Sequence, residues 1–112
     1  MKGIMMSKSQ TIIAEDVIID GDVKLDGDIT VYGEIKGSLE TSGAIQLAKI
    51  GKIRGNVNCS SMEINGLVEG DVIVNGSVEL LSNCKLIGNI QYRALKIHDG
   101  AQFSGRCDII VE

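Results

Sequence analysis

The chain has 112 residues, one domain's worth, of which 44% are apolar but only 3% aromatic, with fourteen glycines and no proline or tryptophan. A net charge of −4, a pI near 4.9 and scattered basic residues exclude nucleic acid as a main partner, since phosphate recognition needs a concentrated basic surface. Cys59, Cys84 and Cys107 are too widely and irregularly spaced for a disulfide framework or a zinc pattern, and read as reduced thiols.

The chain begins with MKGIMMSKS, an expected flexible N-terminal tail over residues 1–9 that carries no repeat. Within it Ile4, Met5 and Met6, flanked by Lys2 and Lys8, make a small amphipathic hook suited to an anionic membrane surface. No stretch is long enough for a membrane-spanning helix, and the start lacks the apolar core of a signal peptide. The expected location is the cytoplasm, at the inner face of the membrane.

Residues 10–112 are expected to form one repetitive domain. IDGDV (19–23) returns as IKGSL (35–39), IRGNV (53–57), VEGDV (68–72), LIGNI (86–90) and FSGRC (103–107). The central glycines, Gly21, Gly37, Gly55, Gly70, Gly88 and Gly105, are spaced by 16, 18, 15, 18 and 17 residues. Such a period marks a solenoid. Six residues after five of these markers stand Gly27, Gly43, Ser61, Gly76 and Ala94, all small, so each coil holds several short strands with tight corners. Two coils, over 45–55 and 78–88, carry two extra residues relative to the compact 29–37. TIIAEDVIIDG (11–21) aligns with LKIHDGAQFSG (95–105), which makes Thr11 and Ile13 part of a first, partial coil.

Strand alternation fixes which side chains point inward. One column reads Ile19, Ile35, Ile53, Val68, Leu86, Phe103, and the next reads Val23, Leu39, Val57, Val72, Ile90, Cys107. Further columns run from Leu25 to Ile109, from Ile29 to Leu95 and from Val31 to Ile97. The residues between are mostly polar, as in Asp22, Ser38, Asn56, Asp71, Asn89 and Arg106. Like stacked on like under a polar exterior predicts an all-β, parallel β-helix of about six coils. Cys59 and Cys107 fall in the inward columns and are expected to be apolar fillers.

The opening TIIAEDVIIDGDV (11–23), the apolar-x-Gly-x-apolar units and the short apolar tail resemble the bactofilins, polymer-forming cytoskeletal proteins. The resemblance spans almost the whole chain. It implies a right-handed, three-sided β-helix that assembles end to end into non-polar filaments without nucleotide. It further implies a scaffold at the membrane for cell-shape or envelope proteins. Many bactofilins carry a disordered C-terminal tail, whereas this sequence stops at IIVE, which puts partners recruited through such a tail in doubt.

Rival readings fit less well. Hexapeptide acyltransferases share the coil chemistry, but resemble left-handed helices with near-invariant 18-residue coils and a catalytic histidine. Here the one histidine, His98, reads as a corner residue. A zinc site of three histidines is excluded by count. The acidic run Asp16, Asp20, Asp22, Asp26, Asp28 reads as a solvated strand edge rather than a calcium site. No catalytic residue, metal or cofactor is expected. A non-polymerising interaction domain, like the β-helix of the bacterial division-site inhibitor, is the remaining alternative.

The candidate site is therefore a pair of polymer interfaces at the terminal coils. FSGRCDIIVE keeps its strand pattern to the last residue, so the last coil is expected to carry no polar cap. Phe103, the only Phe, with Cys107, Ile109 and Val111 is expected to pack on the same end of a second copy. Ile12, Ile13 and Val17 are expected to do so at the other end. The outward apolar residues Ile73 and Ile87 are a candidate surface for lateral bundling or partner docking.

Overall fold

The computed structural model describes residues 10–110. Each repeat is three runs of alternating apolar and polar residues separated by corners, and each run becomes a strand of three or four residues. Eighteen such strands lie in three six-stranded sheets, built by stacking the matching strands of successive coils in parallel. The coils are three-sided. Coil 1 comprises Gln10–Ile13, Ile18–Asp20 and Val23–Leu25; coil 6 comprises Ala94–Ile97, Gln102–Ser104 and Cys107–Ile109. At about 4.8 Å per strand spacing, six coils occupy about 29 Å.

The register reproduces the expected columns. In the second sheet Ile19, Ile35, Ile53, Val68, Leu86 and Phe103 are successive partners. Val23 through Cys107 stack the same way in the third sheet, and Ile29 through Leu95 in the first. An inward side chain in a middle coil has a like neighbour above and below, so Ile35, Ile53, Val68 and Leu86 are fully buried. Each such burial stabilises the fold by about 1.5–3 kcal/mol. Thr41 is a polar member of these columns, and its hydroxyl donates to the Gly27 carbonyl and accepts the Gly43 N–H.

The marker glycines mark the corner between the second and third sheets. They hold φ between +137° and +155°, where side chains are strained. From coil 2 upward a Cβ would also run into the carbonyl of the marker glycine one coil below. Glycine recurs there because backbone stacks on backbone.

Two expectations shift. Ser61 and Ala94 do not stand in the glycine column but in strand register with Ala44 and Ser77. The corner position is taken by Ser60, whose N–H donates to the Gly43 carbonyl, and by Arg93, whose N–H donates to Gly76. One residue there turns a corner that elsewhere takes two, so the deletion falls where no ladder register is broken.

The longer corners between the first and second sheets number four rather than two: 14–17, 48–51, 81–84 and 98–101. Each is closed by an N–H donating three residues back, as Gly51 does to Ala48 and Cys84 to Leu81. Two-residue corners at 32–33 and 65–66 lie between the first three of them. Spacing between markers hides this, because in coil 6 a two-residue gain at one corner is partly cancelled by a one-residue loss at another.

Candidate functional site

A stacked solenoid exposes its first and last coils, and both are open among the described residues. At the C-terminal end Phe103 packs on Leu86 one coil below and is half-buried, while Cys107 is exposed. Cys107 keeps the inward register of Ile90. It is exposed, against expectation, because no coil covers it. Ile109 is 60% exposed although Cys59 and Val74 in the same column are buried. Ile97, absent from the expected site, is 55% exposed in a column whose Ile64 and Leu80 are buried. Val111 lies outside the described residues, as do Lys2, Ile4, Met5, Met6 and Lys8.

The N-terminal end separates the residues assigned to it. Ile13 faces inward under Val31 and is buried. Ile12 pairs with Thr30, faces the outer side of the first sheet and is 62% exposed there, because neighbours on a strand point to opposite faces. Val17 is exposed at the end of the first corner. The uncovered apolar surface of coil 1 is instead made by Ile19, Val23 and Leu25, all half-buried. The signal for these three and for Ile97 lay in the columns themselves, as the first and last members of each.

A side-chain ladder runs beside the marker glycines and gives the solenoid a direction. Asp22 Oδ1 accepts the Ser38 N–H one coil above at 3.0 Å. Asn56 accepts from Asp71 at 3.3 Å, Asp71 from Asn89 at 3.4 Å, and Asn89 from Arg106 at 3.3 Å. In each case the lower side chain accepts from the upper backbone. Arg106 offers only donors, and its guanidinium turns to Asp108 at 3.4 Å. The ladder stops there.

Other candidate chemistry resolves into structure. Asp26 accepts from the Ser42 hydroxyl and Asp28 from the Ala44 N–H, so part of the acidic run holds the next coil. His98, in its corner, meets the Glu79 carboxylate through Nε2 at 2.5 Å. Cys84, which the sequence left unplaced, is buried at the end of a four-residue corner. Burial pushes the Cys59 thiol up to about 12 and the Cys84 thiol to about 11, leaving both protonated and unreactive. Among the described residues no three His, Cys, Asp or Glu side chains group to hold a metal, and no helix is long and apolar enough to cross a membrane. Ile73 stands between Asn58 and Gln91, and Ile87 between Glu69 and Ser104, both outward and exposed.

Comparison with known proteins agrees with this architecture. No curated protein matches the chain. A cryo-EM reconstruction of Thermus thermophilus bactofilin double helical filaments is similar at 25% identity and a TM-score of 0.86, over 89% of this chain and 99% of that one. The crystal structure of a phenylalanine-to-arginine mutant of Thermus thermophilus bactofilin shares the fold at 23% identity and a TM-score of 0.77, over 80% of this chain and all of that one. A family model, Bactofilin, described as polymer-forming cytoskeletal, matches residues 11–108, nearly the whole solenoid. With its repeats, three sheets and that match taken together, this chain belongs to the bactofilin family of polymer-forming cytoskeletal proteins.

Proposed function

We propose that this chain polymerises by joining like ends, coil 6 to coil 6 and coil 1 to coil 1, into a filament without polarity or bound nucleotide. The observation that carries this reading is Arg106. A head-to-tail stack would set Arg106 beneath coil 1 of the next copy, at a position where four of the five stacked coil pairs place a side-chain oxygen that accepts an N–H. A two-fold joint has no such requirement, because its strand edges meet antiparallel. Phe103, Cys107, Ile109 and Val111 then close on the same residues of a second copy, with Ile97 alongside. At the other end Ile13 joins Ile19, Val23 and Leu25, with Ile12 and Val17 at the rim. The role is structural rather than catalytic. Filaments of the similar Thermus thermophilus bactofilin support polymerisation.

Phe103→Arg is expected to give a folded, β-rich protein by circular dichroism that stops at monomers or dimers. Long filaments of that variant in electron micrographs would place the joint elsewhere.

The filament is read as a scaffold for cell-shape or envelope proteins on the cytoplasmic face of the membrane. Lys2, Ile4, Met5, Met6 and Lys8 supply the contact. Three apolar side chains contribute only about 1.5–3 kcal/mol each at full burial, so one tail binds feebly and many tails on one filament bind firmly. Deleting residues 2–8 is expected to release filaments from anionic liposomes while leaving them polymerised; unchanged co-sedimentation counts against the hook.

A further inference from the structure

The corners between the first and second sheets form a ridge down one edge of the solenoid, and over its first four coils the relief of that ridge is self-complementary. In coils 1 to 4 the corners hold four, two, four and two residues (14–17, 32–33, 48–51, 65–66), so they alternately project and recede. The recesses are fixed by packing. A side chain at Gly33 would run into the carbonyls of Ala14 and Val17, and one at Gly66 into those of Ala48 and Gly51. A two-fold axis between coils 2 and 3 reverses the order in a second copy, setting each projection against a recess.

The chemistry pairs in the same sense. The recess of coil 4 opens into a notch of about 410 Å³ edged by Lys49, Lys52 and Lys85 on a chain of net charge −4. None of these lysines makes an ion pair with a described residue. The projection that the two-fold axis carries into this notch is the corner of coil 1, whose tip is the exposed pair Glu15 and Asp16. The projection of coil 3 carries Ile50, 53% exposed, into the recess of coil 2 beside Tyr32, 43% exposed. Acid meets base and apolar meets aromatic, twice each. A lipid surface fits this ridge less well, because Glu15, Asp16 and Asp99 lie along it and anionic headgroups repel them.

We propose that this ridge is a lateral interface through which two copies pair about a two-fold axis, and so two filaments lie side by side, the Glu15–Asp16 corner of each copy seated in the Lys49–Lys52–Lys85 notch of the other. None of Glu15, Asp16, Tyr32, Ile50, Lys49, Lys52 and Lys85 belongs to the end joints, so the contact does not depend on the end-to-end reading. A charge-reversal mixture tests it in the full chain at low ionic strength, with circular dichroism confirming the fold. Lys49→Glu with Lys85→Glu makes notch and corner both acidic; Glu15→Lys with Asp16→Lys makes both basic. Each chain alone is expected to show at least tenfold fewer paired strands in electron micrographs, and an equimolar mixture to restore them. Pairing by either reversed chain alone at the unmodified level, or no recovery in the mixture, overturns the proposal. A chain with Tyr32→Cys and Ile50→Cys adds a readout that does not require filaments. Oxidation is expected to give a 32–50 disulfide between copies, seen by mass spectrometry, and its absence also counts against the interface. If Lys49→Glu with Lys85→Glu instead abolishes binding to anionic liposomes and leaves pairing intact, the notch is a lipid contact and the proposal fails.

Discussion

At Gly55 the backbone holds φ at +155° and a Cβ would meet the Gly37 carbonyl, whereas Gly21, with φ +143°, has nothing within 4 Å. The same residue type therefore answers two constraints in coil 3 and one in coil 1. Gly55→Ala is expected to cost about 3 kcal/mol or more, and Gly21→Ala about 1–2 kcal/mol from backbone strain alone, measured by urea unfolding. Equal losses would show that stacking contact plays no part. The thiols make a second contrast. Cys59 and Cys84 are buried with pKa values raised to about 12 and about 11, while Cys107 is exposed. A thiol reagent at about pH 8 is expected to label Cys107 in the unassembled chain, and all three on unfolding. Because the folded pKa values lie above the ordinary 9.0, the unfolded chain loses protons first, so stability is unaffected below that pH and falls as pH rises through 9 toward 11–12. Replacing Cys59 and Cys84 with Ala should flatten that slope.

Strands of three or four residues have no stability of their own, and hold only because each is paired above and below. Val57 sits in the middle of this stack, under Val72 and over Leu39, and is buried. Val57→Asp puts a carboxylate there with no partner, at a cost of several kcal/mol, and is expected to give unfolded or aggregated protein by circular dichroism and sedimentation. A soluble, folded variant would contradict the column. These columns were legible because alternation has a period of two and repeats in every coil. The corners were less so. Their lengths vary independently, and marker spacing reports only the total, which is why 14–17 and 98–101 were not counted among the extended ones.

Among the described residues the solenoid is directional in its ladder and open at both ends, and these two properties set how copies can join. If coil 6 meets coil 6, Cys107 passes from solvent into a joint. Its labelling is then expected to slow at least tenfold in assembled protein relative to the Phe103→Arg chain. Equal labelling rates with filaments present would remove Cys107 from the interface. In the lateral direction, the alternating corners and the Lys49–Lys52–Lys85 notch lie on an edge separate from the exposed Ile73 and Ile87, which flank the glycine corner instead. The mixture of reversed charges distinguishes the two edges.

By itself the sequence determined the solenoid, its six coils and its inward columns, since a repeat of apolar alternation leaves one way to bury those faces. It also located the ends, because terminal members of a column have one neighbour fewer. Tertiary structure decided which neighbours those ends lack. It turned Ile12 outward beside inward Ile13, added Ile19, Val23, Leu25 and Ile97 to the open surfaces, and exposed Cys107 despite its core register. It also made Arg106 the stop of a ladder whose Asp and Asn rungs read, in one dimension, only as polar residues. Hydrogen bonds between residues 15 to 18 positions apart, and a ridge assembled from four separate corners, exist only once the coils are stacked.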